Sequence, residues 1–92
     1  GAWLMSANGL LCFGRESTKL AIADTVGAGD SFLAGLLAAL LNQNLDISSQ
    51  AALEQLLRHA VASASLCVQE KGCVPPTWDQ AHAWSVAHPL NF

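Results

Sequence analysis

Hydrophobic positions follow two rhythms along this chain. In the first part they form short runs broken by glycine, asparagine and charged residues. From residue 28 onward they recur at helical spacing. Residues 3–6 and 10–13 read as strands around Ala7-Asn8-Gly9, because Asn-Gly tolerates positive φ at both turn positions. Residues 14–17 read as a second loop. Residues 18–23 read as a third strand, with Leu20 and Ile22 on one face and Lys19 and Ala21 on the other. A first helix is expected from Ala28 or Gly29 to Leu41. It is apolar on nearly every side, which predicts burial between layers. A second helix is expected over 49–69, where Leu53, Leu56, Leu57, Ala60, Val61, Ala64, Cys67 and Val68 keep the i, i+3, i+4 pattern. Gly72 and the Pro75-Pro76 pair stop it. A short third helix starts after Thr77, with Thr77 and Gln80 as a capping box, and ends before Pro89.

Composition sharpens this picture in one respect. The chain is 52% hydrophobic and only 12% charged, against about 25% charged in ordinary soluble domains. Such a surface is expected to be covered by further protein. The net charge of −3 and the scattered Arg15, Lys19, Arg58 and Lys71 form no basic stripe, which argues against nucleic acid. The apolar run 32–41 is far shorter than the roughly 20 residues a membrane helix needs. The three cysteines lack CxxC spacing, so zinc is not expected and a reducing cytoplasm is the expected home. His59 reads as a surface or rim residue. Trp3, Trp78 and Trp84 read as core or cover residues.

The chemistry lies in Asp24-Thr25-Val26-Gly27-Ala28-Gly29-Asp30-Ser31-Phe32. A glycine-rich turn at a helix N-terminus leaves backbone N–H groups free to point at an anion, with the helix dipole behind them. Asp30 falls in the first turn of that helix. Taken alone it would offset the dipole, worth about 0.3–1 kcal/mol. Beside an anion site, a carboxylate makes better sense as a base that takes a proton from a hydroxyl attacking a phosphate. No P-loop lysine follows, so this is not a Walker motif. Asp24 and Thr25, read alone, suit a capping role. The small-residue stretch 60–64 reads first as a close helix-packing surface, and Gly35 in mid-helix reads the same way.

The nine residues DTVGAGDSF resemble the second signature of the ribokinase-like (PfkB) carbohydrate kinases, and the likeness runs from the opening hairpin to Lys71-Gly72. The resemblance implies that residues 1–92 are the C-terminal nucleotide-binding and catalytic segment of a three-layer α/β/α sandwich. It implies Asp30 as catalytic base, and Gly27, Ala28 and Gly29 as the anion hole for the transferred phosphoryl group. It places Val61 against the adenine ring. It implies a monovalent cation, potassium, at Asp24, Val26, Cys67, Glu70 and Gly72; the family's side-chain donor a few residues on falls at Pro76, which has none. The implied activity is ATP-dependent phosphorylation of a hydroxymethyl group on a small sugar, fructokinase- or ribokinase-like. Mg2+ would arrive with ATP and be held mostly by residues upstream of this chain. A nucleoside or sugar-phosphate acceptor, or a truncated and non-catalytic piece, are the competing readings. A homodimer is among the assemblies the family allows.

Overall fold

The computed structural model describes residues 2–5, 9, 11–16, 27–43, 49–69 and 76–91. Two strands open the chain, β1 (Ala2–Met5) and β2 (Leu11–Glu16). They pair antiparallel with Trp3 opposite Phe13 and Met5 opposite Leu11. Gly9 between them has φ 90°, the left-handed conformation that an Asn-Gly turn demands. Strand β2 runs on through Gly14 and Arg15 to Glu16, where the sequence suggested a loop. The extension has a partner unseen in the sequence pattern: β3 (Leu90–Asn91) pairs antiparallel with Arg15 and Glu16. The sheet order is β1-β2-β3. The expected strand over 18–23 lies outside the described residues.

Three helices follow: α1 (Ala28–Gln43), α2 (Gln50–Val68) and α3 (Trp78–Ala87). Ser49 caps α2 by accepting the Ala52 N–H at 3.1 Å. Thr77 and Gln80 form the expected capping box on α3, each side chain bonding the other's backbone N–H (2.9 and 3.2 Å).

Helix α2 is the centre of the core. Leu53, Leu57 and Val61 pack with Cys12 of β2, and Ala2, Leu4, Phe32 and Leu90 close around them. Glu16 ties three elements at one carboxylate oxygen. Its Oε2 accepts from Ser65 Oγ on α2 (3.1 Å) and from Trp84 Nε1 on α3 (3.2 Å). Gln50 Nε2 donates to the Leu11 carbonyl at 3.0 Å, adding a second link between α2 and β2.

Two apolar surfaces lie open in this chain. Helix α1 is not buried on all sides. Its covered residues are the small ones, Ser31, Gly35 and Ala39, whereas Leu33, Leu37 and Leu41 face outward, Leu41 at 80% exposure. Small residues let two helix backbones approach closely, so they sit in the α1–α2 crossing and the leucines are left outside. Trp3 is likewise not a core residue: it is 66% exposed and pairs with Phe13 at a ring-centroid distance of 4.6 Å. Met5 and Leu11 extend this same exposed face of the hairpin. Trp78 and Trp84 are half-buried, as covers over α2 and β2.

His59 is also misjudged by its sequence. It is fully buried rather than at the rim, stacked on Trp78 (4.5 Å) and near His82 (5.4 Å). The side-chain amides of Gln43 and Gln55 each lie 3.3 Å from its Nε2, while its Nδ1 finds no hydrogen-bond partner. Burial first, and the charge of His82 second, push the His59 pKa below its ordinary 6.5. Protonation therefore favours the unfolded chain. The stabilising effect of neutral His59 is complete above about pH 6.5 and is lost as pH falls through the lower folded value. Thermal unfolding followed from pH 7.5 to 5 should show a falling Tm, and His59→Phe should flatten that fall. An unchanged slope in His59→Phe would assign the loss to other groups.

Cys12 is free and buried, and burial raises its pKa. Cys67 is fully buried and disulfide-bonded. Among the described residues no helix is long and apolar enough to cross a membrane.

Candidate active site

Helix α1 begins where the glycine-rich turn ends. Gly27 has φ 82°, a conformation that side chains rarely adopt, and its carbonyl accepts the Ser31 N–H at 2.9 Å. This bond closes the first helical turn. Ala28, Gly29 and Asp30 are thereby the first three helical residues, whose N–H groups have no carbonyl four residues earlier within the helix. They point out of the N-terminus, at the positive end of a dipole equivalent to about half an elementary charge. Asp30 and Gly29 are both exposed. A Cβ built on Gly29 meets nothing within 4 Å. The space over this helix end is therefore open to an incoming group.

The glycines have different tasks. Gly27 carries the positive φ, and Gly29 does not. Gly27→Ala should strain the turn by about 1–3 kcal/mol and lower Tm. Gly29→Ala should leave Tm nearly unchanged, because neither space nor conformation opposes a methyl group there. It should weaken anion binding at the helix end, because that methyl would occupy the open approach. Differential scanning calorimetry with ATP titration separates the two. Equal effects of both substitutions on Tm would refute this division.

A cleft of about 170 Å³ opens nearby between α1, α2 and the start of α3, lined by Ser31, Gly35, Ser63, Thr77 and Trp78 among others. Its wall is mostly small and apolar, and neither Asp30 nor Gly27 to Gly29 contributes to it. It lies behind the helix end rather than in front of it.

Other residues singled out in the sequence lie apart from this turn. Val61 is 8% exposed and belongs to the core cluster with Cys12, Leu53 and Leu57. Cys67 lies in the last turn of α2. Its carbonyl accepts the Gln69 backbone N–H at the negative end of the helix dipole, an environment that suits a cation. Asp24, Val26, Glu70 and Gly72 lie outside the described residues. Among the described residues no group of three or more His, Cys, Asp or Glu is placed to hold a metal ion. Two residues that matter to the placement of the turn were not singled out as partners by the sequence. Ser31 and Ser63 meet across the α1–α2 crossing. The small-residue run around Ser63 gave the only signal, and it marked packing without naming the contact.

Comparison with known proteins shows the family. The pfkB family carbohydrate kinase pattern matches residues 1–80. The chain belongs to the pfkB family of carbohydrate kinases. This pfkB chain is 41% identical over 71 residues to a ribokinase of Arabidopsis thaliana, covering 77% of the chain and 16% of the relative. It is 36% identical over 66 residues to a probable fructokinase-6, chloroplastic, of the same plant, covering 70% of the chain and 17% of that relative. A fructokinase-2 of Solanum habrochaites is 35% identical over 60 residues, covering 63% of the chain and 18% of the relative. The pfkB chain thus spans less than a fifth of the length of these relatives. No solved structure matches it significantly.

Proposed function

We propose that this pfkB chain supplies the phosphoryl-transfer end of an ATP-dependent sugar kinase, acting on a hydroxymethyl group of a small sugar of the fructose or ribose type. The observation that carries the reading is Asp30 in the first turn of α1, exposed beside the N–H groups of an open helix end. Gly27, Ala28 and Gly29 hold the γ-phosphate through backbone N–H groups, where fixed donors stabilise charge that builds as the phosphoryl group moves. Asp30 takes the proton of the attacking hydroxyl. Magnesium reaches the site on the nucleotide, where it neutralises phosphate charge. Potassium is proposed at the loop after α2, with the Cys67 carbonyl one ligand and Asp24, Val26, Glu70 and Gly72 the others.

The same reading makes this chain the C-terminal part of a three-layer α/β/α sandwich. Support comes from the two bare apolar faces, the hairpin face of Trp3, Met5, Leu11 and Phe13 and the α1 stripe of Leu33, Leu37 and Leu41. A layered α/β domain covers such faces with further elements. The test uses the full-length protein that carries this segment, incubated with ATP and magnesium and offered fructose, ribose or a nucleoside in turn. Formation of a phosphorylated sugar is expected. Turnover only with a nucleoside would move the acceptor class, and ATP-independent product or none at all would defeat the reading.

A further inference from the structure

Ser31 follows Asp30 directly, yet its side chain turns inward. It is 3% exposed, and its Oγ donates to the main-chain carbonyl of Ser63 on α2 at 3.0 Å. One helical turn later, Gly35 presses on the same residue. A Cβ at Gly35 would overlap Ser63 Oγ, and would lie 2.7 Å from Ser63 Cβ and 2.9 Å from the His59 carbonyl. Two successive turns of α1 therefore seat on one residue of α2. The glycine notch sets how close the helices lie. A notch alone lets one helix slide or roll against the other, whereas a directed hydrogen bond does not. The Ser31 bond supplies the direction, and it does so in the turn that carries Gly27 to Asp30.

We propose that Ser31 is a positioning residue of the phosphoryl-transfer site: its bond to the Ser63 carbonyl fixes the rotation and axial position of α1, and so the aim of the Asp30 carboxylate and of the anion-binding N–H groups. The proposal rests on the kinase reading above. Helix α2 is the fixed partner because its other faces are held by the core, by Ser65 to Glu16 and by Gln50 to Leu11. Removing the hydroxyl frees α1 to shift by a fraction of an ångström to about an ångström. Misplacement on that scale costs turnover of up to about 10²-fold when reacting groups must sit in attack geometry. Affinity for ATP depends on many contacts and should change little.

The test is a set of variants in the full-length kinase, assayed for kcat, for KM of ATP and sugar, and for Tm. Ser31→Ala should lower kcat by about tenfold or more with KM for ATP nearly unchanged, the split expected when an interaction serves the transition state. Ser31→Thr keeps the hydroxyl and should recover most of the rate. Ser31→Cys, close in size but a weak donor, should fall between them and keeps the comparison open if the alanine variant folds poorly. A wild-type kcat in Ser31→Ala, whatever its Tm, overturns the proposal, as do equal rates for the Ala and Thr variants. Asp30→Asn assayed alongside separates the two levels. If Asp30→Asn retains its rate, Asp30 is not the base, and the proposal, which aims that carboxylate, fails with that role. If Asp30→Asn is inactive while Ser31→Ala is not, only the positioning role fails.

Discussion

Asp30→Asn in the full-length protein is expected to lower kcat by at least ~10²-fold, the lower end of what general base catalysis supplies. Asn keeps the size and the hydrogen-bonding reach of Asp but cannot accept a proton from the attacking hydroxyl. Its position in the first turn of α1 means that the change also removes a negative charge beside the anion site. That loss should leave ATP affinity equal or slightly improved, since like charges no longer meet there. The signature is therefore a fall in kcat without a rise in KM for ATP. Steady-state kinetics at saturating ATP and sugar reads both. A variant with a large share of wild-type turnover would remove Asp30 from the role of base and leave it as a dipole-offsetting residue. A collapse of ATP binding with a preserved maximal rate would place Asp30 in ground-state binding instead.

The glycine-rich turn was legible in the sequence because its described positions have local reasons. Gly27 is needed for φ 82°, Gly29 for open approach, and Asp30 belongs to a helical first turn set by the apolar run behind it. The cap at Thr77 was legible for the same reason, since a cap is a contact within a few residues. What the sequence could not reveal is decided by partners far along the chain. Strand β2 continues to Glu16 because Leu90 and Asn91 pair with it, and nothing local in Gly14-Arg15-Glu16 announces that. Hydrophobicity alone did not say which side of α1 this chain covers itself and which it leaves bare. The α1–α2 crossing selects the smallest residues, so the leucines are the ones left outside. His59 shows the converse. A polar residue looked like a surface residue, and only the stacking of Trp78 and His82 from α3 buries it.

The 92-residue chain taken by itself is expected to associate and to phosphorylate no sugar. The proposed base and anion-binding turn are present, but among the described residues nothing positions an acceptor hydroxyl in front of Asp30. Orientation of reactants can be worth about 7–11 kcal/mol of the barrier, so without it the rate should fall to background. Association follows from the two bare faces. On the hairpin Trp3, Met5, Leu11 and Phe13 are 66%, 69%, 50% and 37% exposed, and on α1 Leu33, Leu37 and Leu41 are 54%, 48% and 80% exposed. Contiguous apolar surface of this kind is rare on isolated soluble domains and marks a place where other protein belongs. Light scattering over a concentration series should therefore give a mass above 9.6 kDa that rises with concentration. Placing charge on both faces, as in Trp3→Lys with Leu37→Lys, should move the chain toward monomer without touching α1's first turn. Adding ATP and fructose or ribose should yield no sugar phosphate at any concentration. A wild-type chain that stays monomeric and turns over either sugar at an ordinary enzymatic rate would show that these 92 residues complete the site alone, and would remove the need for a covering layer.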